Sequence, residues 1–144
     1  MERFRLSDRA EQFPELLSGG QRQRVAIAQQ LMCSEHFLLM DEPFSGLDPL
    51  MKDEACKLVS EVAAMNEFTT IIVVTHDISS AIQVADTIWL MGRERDAEGK
   101  AIPGAFIKDT VDLMARGLAW RPDIAETPEF AACSREIKAK FASL

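Results

Sequence analysis

The chain has 144 residues, of which 47% are hydrophobic and 27% charged, a composition typical of folded globular proteins rather than disordered ones. Its net charge of −7 disfavours a nucleic-acid-binding surface, which is normally basic. No apolar run approaches the roughly 20 residues that cross a bilayer, and no apolar stretch of a secretory signal follows Met1.

Two elements are predicted between residues 19 and 41. A Gly-Gly pair interrupts the chain at 19–20, and the 3.6-residue spacing of apolar positions predicts a helix over about 21–32. These positions are Val25, Ala28, Leu31 and Met32. The apolar run 37–40 ends in acidic residues and predicts a short strand buried on both faces, as in parallel sheets.

The middle of the chain alternates between helices and strands. Asp48 followed by Pro49 predicts a helix start, with a buried face of Ala55, Leu58, Val59, Val62 and Met65. The β-branched run 69–74 predicts a strand, and residues 87–91 predict another. Asp77 between them predicts the cap of a short helix. This alternation predicts an α/β fold with a parallel sheet.

The composition changes after Gly92, so we predict an α/β part, residues 1–92, and a C-terminal extension, residues 93–144. Residues 93–104 predict a hairpin or loop. Thr127-Pro128 predicts a helix start, followed by an apolar stripe that predicts packing on the domain's own surface. The stripe comprises Phe130, Ile137, Phe141 and Leu144. The three cysteines, Cys33, Cys56 and Cys133, lack metal-binding spacing, so we interpret them as reduced, buried or half-buried thiols.

One segment, Ser18-Gly19-Gly20-Gln21, is suited to binding phosphate at the start of the first predicted helix. Glycines let the backbone approach a ligand closely, and a helix N-terminus offers free N–H groups and a positive dipole end. The Ser18 hydroxyl can donate to a phosphate oxygen. An ordinary glycine-rich loop before a helix is the simpler alternative.

Further polar residues follow predicted strands and therefore share one edge of a parallel sheet, where ligands bind in open α/β folds. Asp41 is a candidate ligand for Mg²⁺, and Glu42 is a candidate for polarising an attacking water. A solvated or helix-capping acid pair is the alternative. His76 is a candidate donor to a terminal phosphate oxygen, whereas His36 precedes its strand and is assigned no role.

Together these segments resemble the C-terminal part of the ATP-binding domain of ABC transporters, over about residues 7–91. Residues 17–21 are similar to the family's signature motif, and residues 37–42 to its Walker B strand with the catalytic glutamate. Residues 45–48 are similar to its D-loop, and His76 to its switch histidine. The resemblance implies a P-loop NTPase fold: a parallel sheet with flanking helices, followed here by a helical C-terminal extension.

The resemblance also implies a mechanism that uses ATP and Mg²⁺. In the family, two ATP-binding subunits pair head to tail and sandwich the nucleotides. Asp41 would then bind Mg²⁺, Glu42 would orient the attacking water, and His76 would contact the γ-phosphate. The residues that would meet the partner subunit or its nucleotide are Ser18, Gly19, Gly20, Gln21 and Asp48.

The resemblance further implies membrane permease subunits as partners, and the acidic charge balance predicts no nucleic-acid partner. The protein would then be cytoplasmic and bound peripherally to the inner face of the cell membrane. Residues 116–124 resemble the C-terminal extension of nitrate, sulfonate and taurine importer ATPases. We therefore predict part of the ATP-binding subunit of an ABC importer, an ABC-type ATPase that couples hydrolysis to solute import.

The sequence departs from the family because the Walker A motif, GxxxxGK[ST], does not occur in it. We expect a truncated product or a fragment, and we predict that the isolated chain neither binds ATP tightly nor hydrolyses it, because positioning dominates phosphoryl transfer. The family places the Walker A strand between the strands at 71–75 and 87–91. We therefore expect a gap there and an exposed hydrophobic edge.

Two other functions remain open from the sequence. The chain could be a non-catalytic donor that supplies residues 18–21 in trans to a complete ATPase partner. It could also be a DNA-handling or ribosome-associated ABC ATPase, a class that the acidic composition disfavours.

Overall fold

The computed structural model describes residues 4, 6–33, 36–65 and 68–142, with all of their side chains except those of 31–33. The chain divides into two compact units, Met1–Ser80 and Ala81–Leu144. The sequence-based boundary after Gly92 stays a prediction. Within the described ranges, no helix combines the length and apolar character that a bilayer crossing needs.

The first unit contains a parallel strand pair and its helices. In chain order, the elements are 3-10 turns at Ser7–Arg9 and Pro14–Leu16, α1 (Gly19–Cys33), β1 (Phe37–Asp41), α2 (Pro49–Ala63), β2 (Thr70–Val74) and the start of α3 (Ile78–Val84). Strands β1 and β2 pair in parallel, with Leu39 opposite Ile72 and Asp41 opposite Val74. The predicted α/β class and parallel pairing are therefore confirmed in this unit.

Strand β1 is buried on one face, which corrects the prediction that it is buried on both. Leu38 and Met40 are 2% and 4% exposed, whereas Phe37 and Leu39 are 70% and 62% exposed. Ile72 and Val74 of β2 are also exposed. Because successive side chains alternate between the two faces of a strand, these residues form one uncovered apolar face of the β1–β2 pair. The apolar run of β1 therefore exceeds what the described part of this unit can bury.

Helix α2 supplies much of the core of the first unit. Asp48 caps it by accepting a hydrogen bond from the Met51 N–H, at 3.0 Å, as the Asp-Pro pair predicts. Its buried residues are Ala55, Cys56, Leu58, Val59 and Val62. Met65 does not belong to this face: it is 43% exposed, because the helix ends at Ala63.

Helix α1 begins two residues before the predicted start, so Gly19 and Gly20 form its first turn rather than a break before it. Among the described side chains of this helix, Ile27 is buried, at 3% exposure, whereas the predicted positions Val25 and Ala28 are only half-buried. The side chains of the other two predicted positions, Leu31 and Met32, lie outside the described residues.

The second unit is an antiparallel hairpin with a C-terminal helix. Its elements after α3 are β3 (Thr87–Gly92), β4 (Phe106–Asp112), a 3-10 turn at Ile124–Glu126 and α4 (Pro128–Ala142). Strand β3 pairs antiparallel with β4, a pairing that the sequence did not predict. The hairpin predicted at 93–104 is present, with a bridge between Arg95 and Ala101. Strands β2 and β3 lie in different sheets.

Helix α4 begins where Thr127-Pro128 predicts it, and the Thr127 hydroxyl accepts the Phe130 N–H at 3.2 Å. Its buried residues are Cys133, Ser134 and Ile137, so only Ile137 of the predicted stripe is fully buried. Phe130 is half-buried, and Phe141 is 48% exposed because it occurs in the last turn of the helix. Leu144 lies outside the described residues.

Candidate functional site

The carboxyl ends of β1 and β2 bring acidic and basic side chains together. Asp41 is the last residue of β1, and the Glu42 N–H extends the strand pairing by donating to the Val74 carbonyl at 2.8 Å. Glu42 then adopts a left-handed backbone with φ of 47°, which is uncommon for a residue with a side chain. This turn ends the strand immediately after Asp41.

The Glu42 carboxylate is bound by the residues that follow β2. One oxygen, Oε1, accepts the His76 N–H at 3.0 Å and lies 2.7 Å from His76 Nδ1. The other, Oε2, accepts the Thr75 hydroxyl at 3.3 Å. The side-chain hydrogen bond from His76 is the main cause of a lowered pKa of Glu42. A carboxylate only accepts, so Nδ1 must carry the proton in this contact.

The turn after His76 is held by Asp77. Its Oδ1 accepts the N–H groups of Ser79 and Ser80, at 3.1 and 3.2 Å, and thus caps α3 as the sequence predicts. Its Oδ2 accepts Lys52 Nζ at 2.7 Å. Burial opposes ionisation of Asp77, but the Lys52 and Ser80 hydrogen bonds outweigh it, so the pKa of this carboxyl is lowered.

The start of α1 is organised by a reciprocal cap. The Gln21 N–H donates to Ser18 Oγ at 3.2 Å, and the Ser18 N–H donates back to Gln21 Oε1 at 2.8 Å, which is the capping-box arrangement. The N–H groups of Gly19 and Gly20 belong to the first helical turn, where a helix has no acceptor for them. They are the donors that an anion would meet at this helix end.

Helices α1 and α2 approach each other at their first turns. A Cβ added at Gly20 would lie 2.7 Å from Met51 Sδ, whereas one added at Gly19 would meet nothing within 4 Å. The Met51 N–H is the group that Asp48 caps. Gly20 therefore has a packing role in the chain itself, and the sequence segments 18–21 and 45–48 are brought close together in the first unit.

Two of the three cysteines have described side chains, and both are free and buried. Cys56 is 2% exposed, and burial raises the pKa of its thiol to about 11, which keeps it protonated and unreactive. Cys56 and Cys133 are both free and buried, as predicted, and the side chain of Cys33 lies outside the described residues. Within the described ranges, no group of three or more His, Cys, Asp or Glu is arranged to hold a metal ion.

Comparisons with known proteins agree with the motif pattern. The family model described as ABC transporter matches residues 1–45. An aliphatic sulfonates import ATP-binding protein of Pseudomonas fluorescens is 42% identical over 91 residues, covering 63% of this chain and 34% of that protein. A protein of the same description from Mesorhizobium japonicum is 38% identical over 100 residues, covering 69% of this chain and 37% of that protein. The predicted resemblance to ABC transporter ATP-binding proteins is confirmed.

Solved structures support the ABC ATPase fold. A dimeric ATP-binding cassette in a post-hydrolysis state, bound to ADP and Pi, is 28% identical with a TM-score of 0.54, covering 78% of this chain and 44% of that chain. A chain in the ribosome-bound archaeal Pelota and ABCE1 assembly is 25% identical with a TM-score of 0.63, covering 79% of this chain and 18% of that chain. This chain spans about a third of the length of the curated relatives it matches.

Placed on the ABC transporter pattern, the predicted site residues fall into two groups in the first unit. Asp41, Glu42 and His76 lie at the strand ends, with Glu42 and His76 in contact. The signature residues 18–21 and Asp48 lie at the starts of α1 and α2. None of the hydrogen bonds described for Glu42 or His76 involves the second group.

Three hydrogen bonds at the site were not predicted from the sequence: those of Thr75 with Glu42, Lys52 with Asp77, and Asp77 with Thr75. The sequence analysis gave Thr75 and Lys52 no role, and it predicted Asp77 only as a helix cap. Thr75 and Asp77 are adjacent to His76, so their proximity could have been anticipated from the sequence. Lys52 is 25 positions from Asp77, and no local pattern indicates that contact.

Proposed function

We propose that this chain supplies the signature residues, the magnesium ligand and the water-orienting residue of an ABC transporter ATP-binding protein. The observation that carries the proposal is the Glu42–His76 contact, 2.7 Å from Oε1 to Nδ1, directly after Asp41 at the sheet edge where ligands bind in open α/β folds.

His76 is proposed to contact the γ-phosphate of ATP through its other ring nitrogen. Nδ1 donates to Glu42, so Nε2 can donate to a phosphate oxygen only if the ring carries both protons. The side chain is 76% exposed, which leaves it accessible to a nucleotide.

Glu42 is proposed to orient the attacking water through Oε2. That oxygen has a single long hydrogen bond, 3.3 Å from the Thr75 hydroxyl, whereas Oε1 accepts two shorter ones from His76. Oε2 is therefore the atom that can exchange its partner for a water at least cost. A carboxylate in this role typically contributes about 10²–10⁴-fold in rate.

Asp41 fits the role of a Mg²⁺ ligand. Its exposed carboxylate makes no hydrogen bond or ion pair with other described residues, and carboxylate oxygen is a ligand type that Mg²⁺ prefers. When bound, the ion would neutralise charge that develops on the transferred phosphate. Because the Glu42 carboxylate is hydrogen-bonded to His76, Asp41 is the carboxylate available to bind the ion.

The signature residues Ser18–Gln21 are proposed to contact ATP held by a second ATP-binding subunit. Ser18 and Gly19 are exposed, and the first-turn N–H groups can donate to phosphate oxygens. Asp48 uses Oδ1 to cap α2, so its second oxygen would bridge to that subunit. Permease subunits at the inner face of the cell membrane would then be moved by closure of the two subunits.

The transported solute is proposed to be of the nitrate, sulfonate or taurine class. Two observations support this: the likeness of residues 116–124 to the C-terminal extension of such importer ATPases, and the relatives described as aliphatic sulfonate import proteins. The 144-residue chain on its own is proposed to be inactive, because no GxxxxGK[ST] segment is present in it to cradle the β- and γ-phosphates.

A chimera tests the proposal. The N-terminal part of an aliphatic sulfonates import ATP-binding protein, including its phosphate-binding loop, is joined to residues 1–144. We expect ATP hydrolysis by the chimera, none by the chain alone, and a loss of about 10²-fold or more for Glu42→Gln. Glu61→Gln, an exposed carboxylate on α2, is the matched control and should retain full activity. Undiminished hydrolysis by the Glu42→Gln chimera would show that the assignment is wrong.

A non-catalytic half-site donor is the second candidate, favoured by the exposed Ser18–Gly19 end of α1. Under this alternative, the chain would stimulate a complete homologous ATPase when mixed with it. Stimulation should depend on Ser18 and Gly20 but survive Glu42→Gln. Failure of the wild-type chain to stimulate any complete homologue would eliminate this candidate and leave the chimera result unaffected.

A further inference from the structure

Lys52 contacts a residue next to the proposed catalytic pair although it lies on a different element. It belongs to the first turns of α2, and its Nζ donates to Asp77 Oδ2 at 2.7 Å. The two side chains are 35% and 20% exposed. An ion pair this accessible contributes little to global stability. Its consequence is therefore local: it restricts where Asp77 can lie.

Asp77 in turn determines the conformation of the turn that carries His76. Its Oδ1 accepts the N–H groups of Ser79 and Ser80, and its own N–H donates to Thr75 Oγ1 at 3.1 Å. These bonds hold the backbone on both sides of His76.

The path continues from Thr75 to Glu42. Thr75 Oγ1 accepts from Asp77 and donates its single proton to Glu42 Oε2, at 3.3 Å, so the directions of the two bonds are compatible. Glu42 Oε1 accepts both the N–H and Nδ1–H of His76. A continuous series of hydrogen bonds therefore runs from Lys52 through Asp77 and Thr75 to the Glu42–His76 pair.

At its other end the series reaches the cap of α2. The Lys52 N–H donates to the Asp48 carbonyl at 2.9 Å, and Asp48 Oδ1 accepts the Met51 N–H. Lys52 thus links the turn containing Asp48 to the turn containing His76.

We propose that Lys52 is a positioning residue for the Glu42–His76 pair, acting through its ion pair with Asp77, and that it couples the first turn of α2 to that pair. The inference rests on the proposed function for its catalytic meaning, because Asp48 is there assigned to the subunit interface and Glu42 to the attacking water. The coupling itself is a property of the 144-residue chain. Removal of the Lys52 ammonium should loosen the Glu42–His76 contact without unfolding the protein.

Long-range ¹H–¹⁵N NMR spectra of the imidazole rings test the proposal in the full chain, recorded over a pH series. They report the fraction of neutral His76 with its proton on Nδ1, which global stability does not change in the folded state. For Lys52→Met we expect this fraction to fall at least twofold, and amide exchange of His76 to accelerate by about threefold, within the range of an exposed ion pair. The chain has two histidines, so His36, at the opposite end of β1, serves as an internal reference and should not change.

Three variants make the result specific. Lys52→Arg retains the charge and the donor and should restore both readouts. Lys57→Met removes an exposed lysine from the same helix and should leave both unchanged. Asp77→Asn keeps an acceptor for the α3 cap but loses the charge, and should reproduce Lys52→Met even if the latter folds poorly.

Unchanged His76 signals in both Lys52→Met and Asp77→Asn, or an equal change in Lys57→Met, would overturn the proposal. These measurements need neither ATP nor a second subunit. An inactive chimera would therefore refute the proposed function while leaving this coupling intact, and unchanged imidazole signals with an active chimera would refute only the coupling.

Discussion

Glu42 Oε1 lies 2.7 Å from His76 Nδ1, although the two residues are 34 positions apart and follow different strands. The parallel register that places Asp41 opposite Val74 brings them together, and the left-handed backbone of Glu42 ends the first strand at this point. The contact uses Oε1, whereas Oε2 accepts a single hydrogen bond from Thr75 and keeps a second acceptor site.

The Glu42–His76 contact should be lost in acid. Because the hydrogen bond from His76 lowers the pKa of Glu42, the folded-state value lies below the unfolded one. The contact therefore stabilises the folded chain above the ordinary carboxyl range, and this stabilisation disappears as the pH falls through the lowered pKa. The amide exchange rate of His76, corrected for intrinsic rates, should rise across that range. In Glu42→Gln this rise in the exchange rate should be absent. A rise of the same size in that variant would show that Glu42 does not cause it.

Gly20→Ala should leave the chain less stable than Gly19→Ala does. The added Cβ at Gly20 would approach Met51 Sδ to 2.7 Å, and that at Gly19 meets no atom within 4 Å. Both variants gain the helix propensity of alanine, about 0.5–1 kcal/mol, but at Gly20 the flexible Met51 side chain must shift to make room, which offsets part of that gain. Urea unfolding should show the lower midpoint for Gly20→Ala and removal of the difference in Gly20→Ala/Met51→Ala compared with Gly19→Ala/Met51→Ala. Equal midpoints for the two single variants would show that the helices separate readily here.

Neighbouring leucines of β1 should respond oppositely to a charge. Leu38 is 2% exposed and Leu39 is 62% exposed. Leu38→Lys should cost at least about 2–5 kcal/mol, the typical loss for emptying a buried leucine site, whereas Leu39→Lys should remain within about 0.5 kcal/mol of the wild type. Urea unfolding measures both. Light scattering should show less self-association for Leu39→Lys, because it charges the exposed apolar face of β1–β2. A large loss of stability in Leu39→Lys would mean that this face is covered in solution.

Helix α4 should detach in acid before the rest of its unit unfolds. Glu136 binds Arg116 with two hydrogen bonds, at 2.8 and 3.0 Å, and Lys140 bridges it to Asp109 of β4. The Arg116 and then the Lys140 hydrogen bonds lower the pKa of Glu136 from 4.5 to about 2. The stabilisation is therefore complete above the unfolded-state value and is lost as the pH falls through the folded-state value.

Circular dichroism melting curves recorded on both sides of this range measure the effect. As the pH falls, the melting temperature should decrease more for the wild type than for Glu136→Gln. Glu126→Gln, which removes an exposed carboxylate outside the network, should behave like the wild type. If Glu136→Gln keeps the full acid sensitivity, the network does not anchor the helix.

Local signals in the sequence were sufficient for most helix and strand positions. The Asp48 and Asp77 caps and the Thr127-Pro128 helix start all appear in the structure, because capping depends on residues only two or three positions apart. The sequence analysis did not predict strand β4, Phe106–Asp112, although the turn residues Pro103 and Gly104 precede it and Val111 within it is buried. Its apolar and polar residues do not alternate clearly enough to give a period-2 pattern. The antiparallel pairing of β3 was missed for the same reason.

By itself, the sequence determined the order of the helices and strands other than β4, their caps and the family resemblance, since each depends on residue types at fixed short spacings. Only the tertiary structure decided which face of β1 is covered, that Gly20 packs on Met51, and that Lys52 reaches Asp77. These relationships join residues from separate elements, and their distances depend on how helices and strands pack, which no local pattern specifies.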